Sequence, residues 1–377
     1  MQVAVASLFL SGCASSSHSP QTADTSSTTN QTIVSNDRIN SSRSGNTRQA
    51  SLAPGDFIGS DGQLLPDIQS FARQTAQEQN IPLSDVEALL RTARYNAAAV
   101  RLMTPPANRT RIRRAWLSYR QRHVDPIRIR RGAAFWQAHR STLDQVSART
   151  GVPASIIVAI IGIETVYGQF TGDHRVLDTL TTLGFRYPDA SRPERQAMFR
   201  AQLADLLILD HQGALDAYTV EGSFAGAMGL PQFMPGSLMR YAVDGNGDGR
   251  VDLAGNVDDA IASVGNFLKE HGWVRDVPAF APVRLPADAA RLVQDGLTPT
   301  SDWPRLKAAG AQALPGRDTH WQSQPLGVID LQDEIRDTHD YRCATPNFFA
   351  ITHYNRSYFY AASVIELAGE ITNRMGP

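Results

Sequence analysis

The fold is decided by the stretch Val152-Pro-Ala-Ser-Ile-Ile-Val-Ala-Ile-Ile-Gly-Ile-Glu164-Thr-Val-Tyr-Gly168. Pro153 is typical of the first turn of a helix, and Gly168 is typical of a helix end. Residues 156–163 are apolar on every side of such a helix, so no face of it suits contact with water. The stretch therefore predicts a helix that is buried in the core.

Glu164 lies in the last turn of this predicted helix. Burial disfavours the charged carboxylate and raises its pKa, and the negative end of the helix dipole acts in the same direction. A carboxyl group that is still protonated near neutral pH can donate a proton to a glycosidic oxygen. The alternative is a structural ion pair with an arginine such as Arg175 or Arg186, because ion-pair networks also perturb pKa values.

Helical periodicity continues on both sides of this stretch. Ile68–Ala76 has apolar residues at i, i+3 and i+4 spacing, and Ser84-Asp-Val-Glu87 has the spacing of a capping box that opens another helix. Between about residues 276 and 345 prolines become frequent, and alternating runs such as Pro325–Leu331 predict short strands. Further helices, separated by glycines and prolines, are predicted over 109–123, 131–149, 194–210, 257–271 and, at the end of the chain, about Tyr360–Asn373.

Two segments are candidates for contacting a ligand. Gly222–Ser237 contains four glycines and two prolines; its small residues allow close backbone approach, while Ser223 and Gln232 offer polar groups. The same segment also fits a tight turn between packed helices. Asn347–Tyr360 is rich in aromatic residues, which can stack on sugar faces or serve as ordinary core residues.

Asp244-Gly-Asn-Gly-Asp-Gly-Arg-Val-Asp252 matches the start of an EF-hand calcium loop. Gly255 stands where the loop would normally close with a bidentate glutamate, so the closing carboxylate must come from Asp258 or Asp259. The alternative is an acidic, glycine-rich turn without metal. The expected ligands all offer oxygen atoms: Asp244, Asn246, Asp248 and the backbone carbonyl of Arg250.

Composition excludes some classes of function. Hydrophobic residues make up 42% of the 377 residues, which is enough for a substantial core, and the formal net charge of -1 gives no global field for nucleic acid.

One segment is locally basic, and it suits either solvated helix faces or an edge that attracts an anionic polymer. Its arginines are Arg109, Arg111, Arg113, Arg114, Arg120, Arg122, Arg128, Arg130 and Arg131.

The N-terminus has the features of an export signal. Residues 3–10 form an apolar run too short to cross a bilayer, and Leu10-Ser-Gly-Cys13 resembles the cleavage box of bacterial lipoproteins, in which the cysteine is acylated. Lipoproteins of this kind that stay in the inner membrane usually carry Asp at the second position after the cysteine, so Ser15 at that position implies the outer membrane, facing the periplasm. Residues 14–60, rich in Ser, Thr, Asn and Gln, are predicted to form a disordered tether. Cys343 is then left without an intramolecular partner.

Together these segments resemble the membrane-bound lytic murein transglycosylase B family over about residues 65–375. The most specific similarities are Ile163-Glu164-Thr165 with Tyr167-Gly168, Gly222–Pro235, the calcium loop, His271-Gly-Trp273 and Tyr354-Asn355. The resemblance implies a mainly α (α+β) fold: a lysozyme-like helical core, an additional helical domain and a small β domain.

The resemblance also implies an activity. Members of the family cleave the β-1,4 bond between MurNAc and GlcNAc of peptidoglycan without water and leave 1,6-anhydroMurNAc ends. Their single catalytic glutamate corresponds to Glu164, which would act first as acid and then as base. The partners so implied are peptidoglycan glycan strands and the outer membrane. Three alternatives stay open: a lysozyme-type hydrolase, a non-catalytic peptidoglycan-binding lipoprotein and a calcium-dependent scaffold.

The resemblance assigns further residues to the site. A cleft tyrosine of the family is replaced by Phe267, Asp259 is the better match for the late ligand of a single structural Ca²⁺, and an insertion after Pro188 leaves Arg192 and Arg195 as candidates only. The other implied substrate-binding residues are Ser223, Gln232, Tyr354, Asn355 and Tyr360.

The expected domain organisation combines composition with the resemblance. A signal peptide ending at the lipidated Cys13 occupies residues 1–13, and the tether occupies 14–60. The folded part is expected to comprise a helical domain at 61–150, a catalytic core with the calcium loop at 151–275, a small β or mixed domain at 276–345 and a C-terminal segment at 346–377 that returns to the core. Part of 175–215 is assignable to the helical domain instead.

Overall fold

The computed structural model describes residues 57–105, 111 and 113–376, so the predicted signal peptide, Cys13, Arg109 and almost all of the tether lie outside the described residues. The helices are α1 Pro66–Gln79, α2 Leu83–Leu90, α3 Ala97–Met103, α4 Trp116–His123, α5 Pro126–Ala138, α6 Arg140–Thr150, α7 Ala154–Thr165, α8 Val176–Phe185, α9 Pro193–His211, α10 Pro235–Tyr241, α11 Val257–Glu270, α12 Trp303–Ala308, α13 Pro346–Thr352 and α14 Tyr358–Met375.

Three short antiparallel strand pairs accompany the helices. In chain order the strands are β1 His174–Arg175, β2 Glu221–Gly222, β3 Val283–Arg284, β4 Gln312–Ala313, β5 Gly327–Asp330 and β6 Tyr341–Ala344. They pair as β1 with β2, β3 with β4, and β5 with β6, the last with Gly327 opposite Ala344. Short strands, two 3₁₀ turns and the short helix α12 lie within residues 283–344, where strands were predicted, and the expectation of a mainly helical α+β fold is confirmed.

Helix α7 is the centre of the larger hydrophobic core. It begins directly after Pro153, and eleven of its twelve residues are buried, as the sequence predicts. Helices α14, α5, α6 and α11 pack around it. Within the described residues no single helix is long and apolar enough to span a membrane; the pair α6 and α7, bent by 114°, meets that test by length and composition only.

The end of α7 differs from the prediction. The helix stops at Thr165, three residues before Gly168, because Val166 and Tyr167 both adopt left-handed backbone conformations with φ of 52° and 61°. The Val166 N–H closes the last turn on the Gly162 carbonyl at 3.1 Å. Sequence reasoning reserves this conformation for glycine, since a β-branched residue pays a steric cost there.

The hydrophobic clusters group the helices differently from the expected boundary at residue 150, and they place α8 and α9, within the range 175–215, beside α1–α3. Helices α1–α3 share a hydrophobic cluster with α8, α9 and Phe57, whereas α4–α6 pack with α7, α11 and α14, so the boundary placed at residue 150 does not follow the cores. Phe57 is only 2% exposed, and Ile58 forms a bridge with Leu64, so the tether predicted to reach residue 60 must end earlier. A third, smaller cluster joins residues between Val277 and Cys343.

Local boundaries show further differences. The capping box predicted at Ser84 is wrong: α2 begins at Leu83, and the Ser84 hydroxyl donates to the Asp85 carboxylate instead. The helix predicted over 131–149 is two helices that break at His139. Helix α8 was not predicted, although its residues are buried almost throughout.

Candidate active site

The site is built around Glu164, at the end of the buried helix α7. Its side chain is 6% exposed, and the hydroxyl of Tyr360, on the neighbouring helix α14, donates a hydrogen bond to Oε1 at 2.5 Å. Burial raises the pKa of Glu164 to about 7, and the hydrogen bond from Tyr360 acts in the opposite direction. A carboxyl group with this pKa can donate a proton near neutral pH and take one back.

The ion-pair alternative for Glu164 is wrong. Arg175 donates to the Thr92 carbonyl at 2.9 Å and to its hydroxyl at 2.6 Å, and Arg186 pairs with Asp67 at 2.8 Å. Across the part of the chain that the structure describes, Glu164 forms no salt bridge and receives no hydrogen bond other than that from Tyr360. Desolvation rather than a charged partner therefore sets its pKa.

An aromatic wall continues from Tyr360. The ring of Tyr354 stacks on Tyr360 with centroids 6.2 Å apart and 14° between the planes, and it meets Phe267 edge-on at 4.8 Å. The Tyr354 hydroxyl donates to the Pro231 carbonyl at 2.5 Å, which ties this wall to the glycine-rich segment. Burial and the nearby Glu164 raise the pKa of both tyrosines well above the ordinary value, so the two hydroxyls stay protonated.

The glycine-rich segment forms the next side of the site. Ser223 is buried, and its hydroxyl oxygen accepts from the N–H groups of Ala225 at 3.3 Å and Ala227 at 3.1 Å. Gln232 has φ of 52°, and its amide nitrogen donates to the carbonyls of Thr171 and Gly229, each at 3.0 Å. Among the described residues its amide oxygen is buried without a hydrogen-bond partner.

The structure brings some predicted residues together and separates others. Phe267 is 5% exposed and packs with Phe233, Tyr241 and His271 as an apolar element of the wall. Asn355 lies half-buried in the turn between α13 and α14, directly after Tyr354. Arg192 and Arg195 lie at the start of α9, which packs on α8 and α10, and the Arg192 Nε is 3.9 Å from Asp189.

Sequence reasoning gave no role to two residues that position Glu164. The Thr165 hydroxyl donates to the Leu230 carbonyl at 3.1 Å and accepts the Gly168 N–H at 3.0 Å, so it ties the end of α7 to the glycine-rich segment. The Tyr167 hydroxyl donates to the Arg128 carbonyl at 3.1 Å. Both residues are part of the motif that carries the family resemblance, but the pattern does not show which groups they contact.

Side chains of the acidic loop at 244–252 accept hydrogen bonds from backbone N–H groups of the same loop. The Asp244 carboxylate accepts from the N–H groups of Gly249 at 2.8 Å and Gly247 at 2.6 Å, and these bonds hold its pKa below the ordinary value. Asp259 is fully buried and accepts from Gly245 at 2.8 Å and Asp252 at 2.7 Å, whereas Asp258 accepts from Thr142 at 2.7 Å.

The donors around this loop are all oxygen atoms, which suit calcium. Among the described residues no three His, Cys, Asp or Glu side chains are grouped to hold a metal ion, so a calcium site here would rely on Asn246 and the Arg250 carbonyl as well. Asp259 faces the loop and Asp258 faces α6, which makes Asp259 the better closing carboxylate.

The fold and the site define a helical protein with a buried acid beside polar and aromatic side chains, and comparison with known proteins identifies the family. Residues 63–369 match the family described as the transglycosylase SLT domain, and the chain belongs to this family. It is 33% identical over 318 residues to membrane-bound lytic murein transglycosylase B of Escherichia coli, covering 82% of this chain and 84% of that protein.

Solved structures agree with this assignment. The soluble lytic transglycosylase SltB1 of Pseudomonas aeruginosa has a TM-score of 0.72 and 35% identity, covering 83% of this chain and 100% of that chain. Slt35 of Escherichia coli, in a structure described as in complex with calcium, has a TM-score of 0.71 and 31% identity, covering 85% and 97%. SltB3 of Pseudomonas aeruginosa, in complex with NAG-anhNAM-pentapeptide, has a TM-score of 0.67 and 31% identity, covering 80% and 77%.

Proposed function

We propose that this chain is a lytic transglycosylase that cleaves the β-1,4 bond between MurNAc and GlcNAc in peptidoglycan and leaves a 1,6-anhydroMurNAc end. The observation that carries the proposal is the buried Glu164 carboxyl, whose pKa is raised to about 7 by desolvation and which, among the described residues, contacts Tyr360 and no basic group. Inverting glycosidases divide the acid and base roles between two carboxyl groups. Here one carboxyl group takes both in succession.

In the first step protonated Glu164 donates its proton to the glycosidic oxygen as the bond from that oxygen to the muramyl C1 breaks. The Tyr360 hydroxyl donates its hydrogen bond to Oε1, so the proton that Glu164 transfers is carried by Oε2. Release of the proton leaves a carboxylate, which the hydrogen bond from Tyr360 stabilises. The positive charge that develops at C1 is stabilised by the same carboxylate.

In the second step the muramyl C6 hydroxyl attacks C1, and Glu164 takes the hydroxyl proton. The new C6–O–C1 bond closes the anhydro ring, and the enzyme returns to its protonated form without a water molecule. A pKa near 7 suits both directions of proton transfer at neutral pH. Gln232, with its unpartnered buried oxygen, and the wall of Tyr354 and Phe267 would hold the sugar chain over Glu164.

The test is mass spectrometry of muropeptides released from purified sacculi by the parent chain and by its Glu164→Gln variant. We expect products lighter by one water from the parent and none from the variant. Products with ordinary reducing ends would make the chain a lysozyme-type hydrolase. Binding to sacculi without any product from the parent would make it a non-catalytic binding protein.

We propose that the loop at 244–252 binds one structural Ca²⁺ through Asp244, Asn246, Asp248, the Arg250 carbonyl and Asp259. When bound, the ion would neutralise the acidic loop and hold it against the start of α11, where Asp259 lies. Oxygen-only donors and the position of Asp259 support this proposal. The ion takes no part in the proton transfers of Glu164.

We also propose that the mature chain is an outer-membrane lipoprotein that faces the periplasm and is anchored by acylation of Cys13. The Leu10-Ser-Gly-Cys13 pattern supports this proposal, and the Escherichia coli relative is described as membrane-bound. Fractionation of cells that express the parent or Cys13→Ala tests it. The variant is expected to leave the membrane fraction, and an unchanged distribution would contradict the proposal.

A further inference from the structure

A ring of contacts surrounds Glu164, and only some of the residues in this ring have been proposed to bind substrate. On one side it passes through the aromatic wall to the glycine-rich segment. On the other it returns to the end of α7 through the loop at 166–173. The Tyr360 hydroxyl donates to Glu164, the Tyr354 ring stacks on Tyr360, and the Tyr354 hydroxyl donates to the Pro231 carbonyl. The Gln232 amide donates to the Thr171 carbonyl, and the Phe170 N–H donates to the Thr165 carbonyl.

The loop at 166–173 is held in place at several points. The Phe170 N–H bonds to the Thr165 carbonyl at 3.0 Å, and the Thr171 carbonyl accepts from Gln232 at 3.0 Å. The side chain of Gln169 is bonded to Arg131 on α5. A Cβ added to Gly172 would stand 2.2 Å from the Gly222 carbonyl oxygen, so this loop and the glycine-rich segment are in close backbone contact.

Phe170 is exposed although its backbone is fixed. Its side chain is 39% exposed, and it belongs to neither hydrophobic cluster of the helical part of the chain. Exposed aromatic surface carries a free-energy cost that folding normally removes by burial. A ring exposed on a loop that is bonded to the end of α7 and to Gln232 is therefore suited to being covered by a bound ligand.

We propose that Phe170 is a substrate-binding residue whose ring packs against the apolar face of a sugar ring next to the bond that is cut. The inference rests on the proposed function, since it takes the ligand to be a β-1,4-linked glycan. Pyranose rings present C–H groups on one face, and an aromatic ring covers that face at little entropic cost because its own backbone is already ordered.

The test measures binding of glycan strands freed of stem peptides to the inactive Glu164→Gln protein, with and without Phe170→Ala. Ring stacking predicts that the alanine substitution weakens binding by roughly three- to tenfold. Phe170→Trp is expected to retain the affinity, and Phe170→Leu, which keeps apolar area without a ring, to lose most of it. In the active protein Phe170→Ala should raise KM for the same strands more than it lowers kcat.

Tyr218→Ala is the matched control, because Tyr218 is another exposed aromatic residue (46%) and has no part in the contacts around Glu164. It should leave binding unchanged, and the melting temperatures of all variants should match the parent. Equal affinity of the Phe170→Ala and parent proteins would overturn the inference, as would an effect seen only on strands that keep their peptides. Absence of glycan binding or products in the parent would instead refute the proposed function.

Discussion

Two effects act in opposite directions on the pKa of Glu164. Burial favours the neutral acid and raises the pKa to about 7, while the Tyr360 hydroxyl favours the carboxylate. Because the first influence dominates, the folded protein holds this proton over a pH range in which the unfolded chain has lost it. Ionisation of Glu164 therefore costs stability, and the cost depends on pH.

The Glu164→Gln variant should reveal this cost, since glutamine mimics the protonated acid. Below pH 4.5 the two proteins should be equally stable. As pH rises from 4.5 to 7 the parent should lose stability relative to the variant, by about 3 kcal/mol at most, since one pKa unit is worth about 1.4 kcal/mol. Urea unfolding at a series of pH values measures the difference. A difference that stays constant across this range would show that the carboxyl is not desolvated.

The sequence identified Glu164 but not its surroundings. An uninterrupted apolar run predicts burial of the residue that ends it, so the raised pKa followed from local pattern alone. The absence of an arginine partner did not follow, because Arg175 and Arg186 are bound by Thr92 and Asp67, residues about 80 to 120 positions earlier in the chain. Contacts at such separations leave no periodic trace in the sequence.

At the scale of elements, the turn after α7 holds Glu164 in place. Val166 and Tyr167 adopt left-handed conformations, and the Tyr167 ring fits into a space left by two glycines on adjacent helices. A Cβ added to Gly162 would stand 2.3 Å from the Tyr167 hydroxyl oxygen, and one added to Gly132 would stand 2.4 Å from it. Backbone strain at Val166 is thus offset by packing of the next residue.

Gly162→Ala should therefore destabilise the protein by about 1–3 kcal/mol, the usual cost of overpacking a core. Gly369→Ala on α14 is the matched control: an added Cβ there meets nothing within 4 Å, and the substitution should stabilise the helix by roughly 0.5–1 kcal/mol. Thermal unfolding of both variants measures the effects. If Gly162→Ala costs as much in a Tyr167→Ala background as in the parent, the Tyr167 ring is not the cause.

The start of α7 was predicted from Pro153, but proline did not reveal every boundary, since α5 begins at Pro126 although its helix was predicted from residue 131. The break between α5 and α6 falls at His139, a residue with no special turn preference. Helix α8 is apolar over most of its length, and its run Val176–Phe185 contains threonines that favour other structures in isolation. Tertiary burial decides such segments.

At the scale of the whole molecule, two hydrophobic clusters meet at the site. One contains α7 and α14, which carry Glu164 and Tyr360; the other contains α8, α9 and Met228 of the glycine-rich segment. Leu238 of α10 packs against both. The sequence predicted most helices but divided them at residue 150, because helical periodicity shows which face of a helix is buried and not which helix covers it.

The acidic loop joins the base of this arrangement, between α10 and α11. Its carboxylates are held by loop backbone N–H groups, and Asp259 is fully buried at the start of α11. A divalent cation held by Asp244, Asp248 and Asp259 would be attracted by their negative charges. Calcium binding should therefore stabilise the folded chain as a whole, whether or not substrate is present.

Saturating Ca²⁺ should raise the melting temperature of the parent, since a ligand at a hundred times its Kd contributes about 2.7 kcal/mol to stability. Asp259→Asn should abolish this gain. Asp258→Asn, one residue earlier, should keep it, because the Asp258 carboxylate bonds to Thr142 rather than to the loop. Mg²⁺ at the same concentration serves as the control ion. No calcium-dependent shift in the parent would refute the site, and loss of the shift in Asp258→Asn alone would assign the closing carboxylate to Asp258.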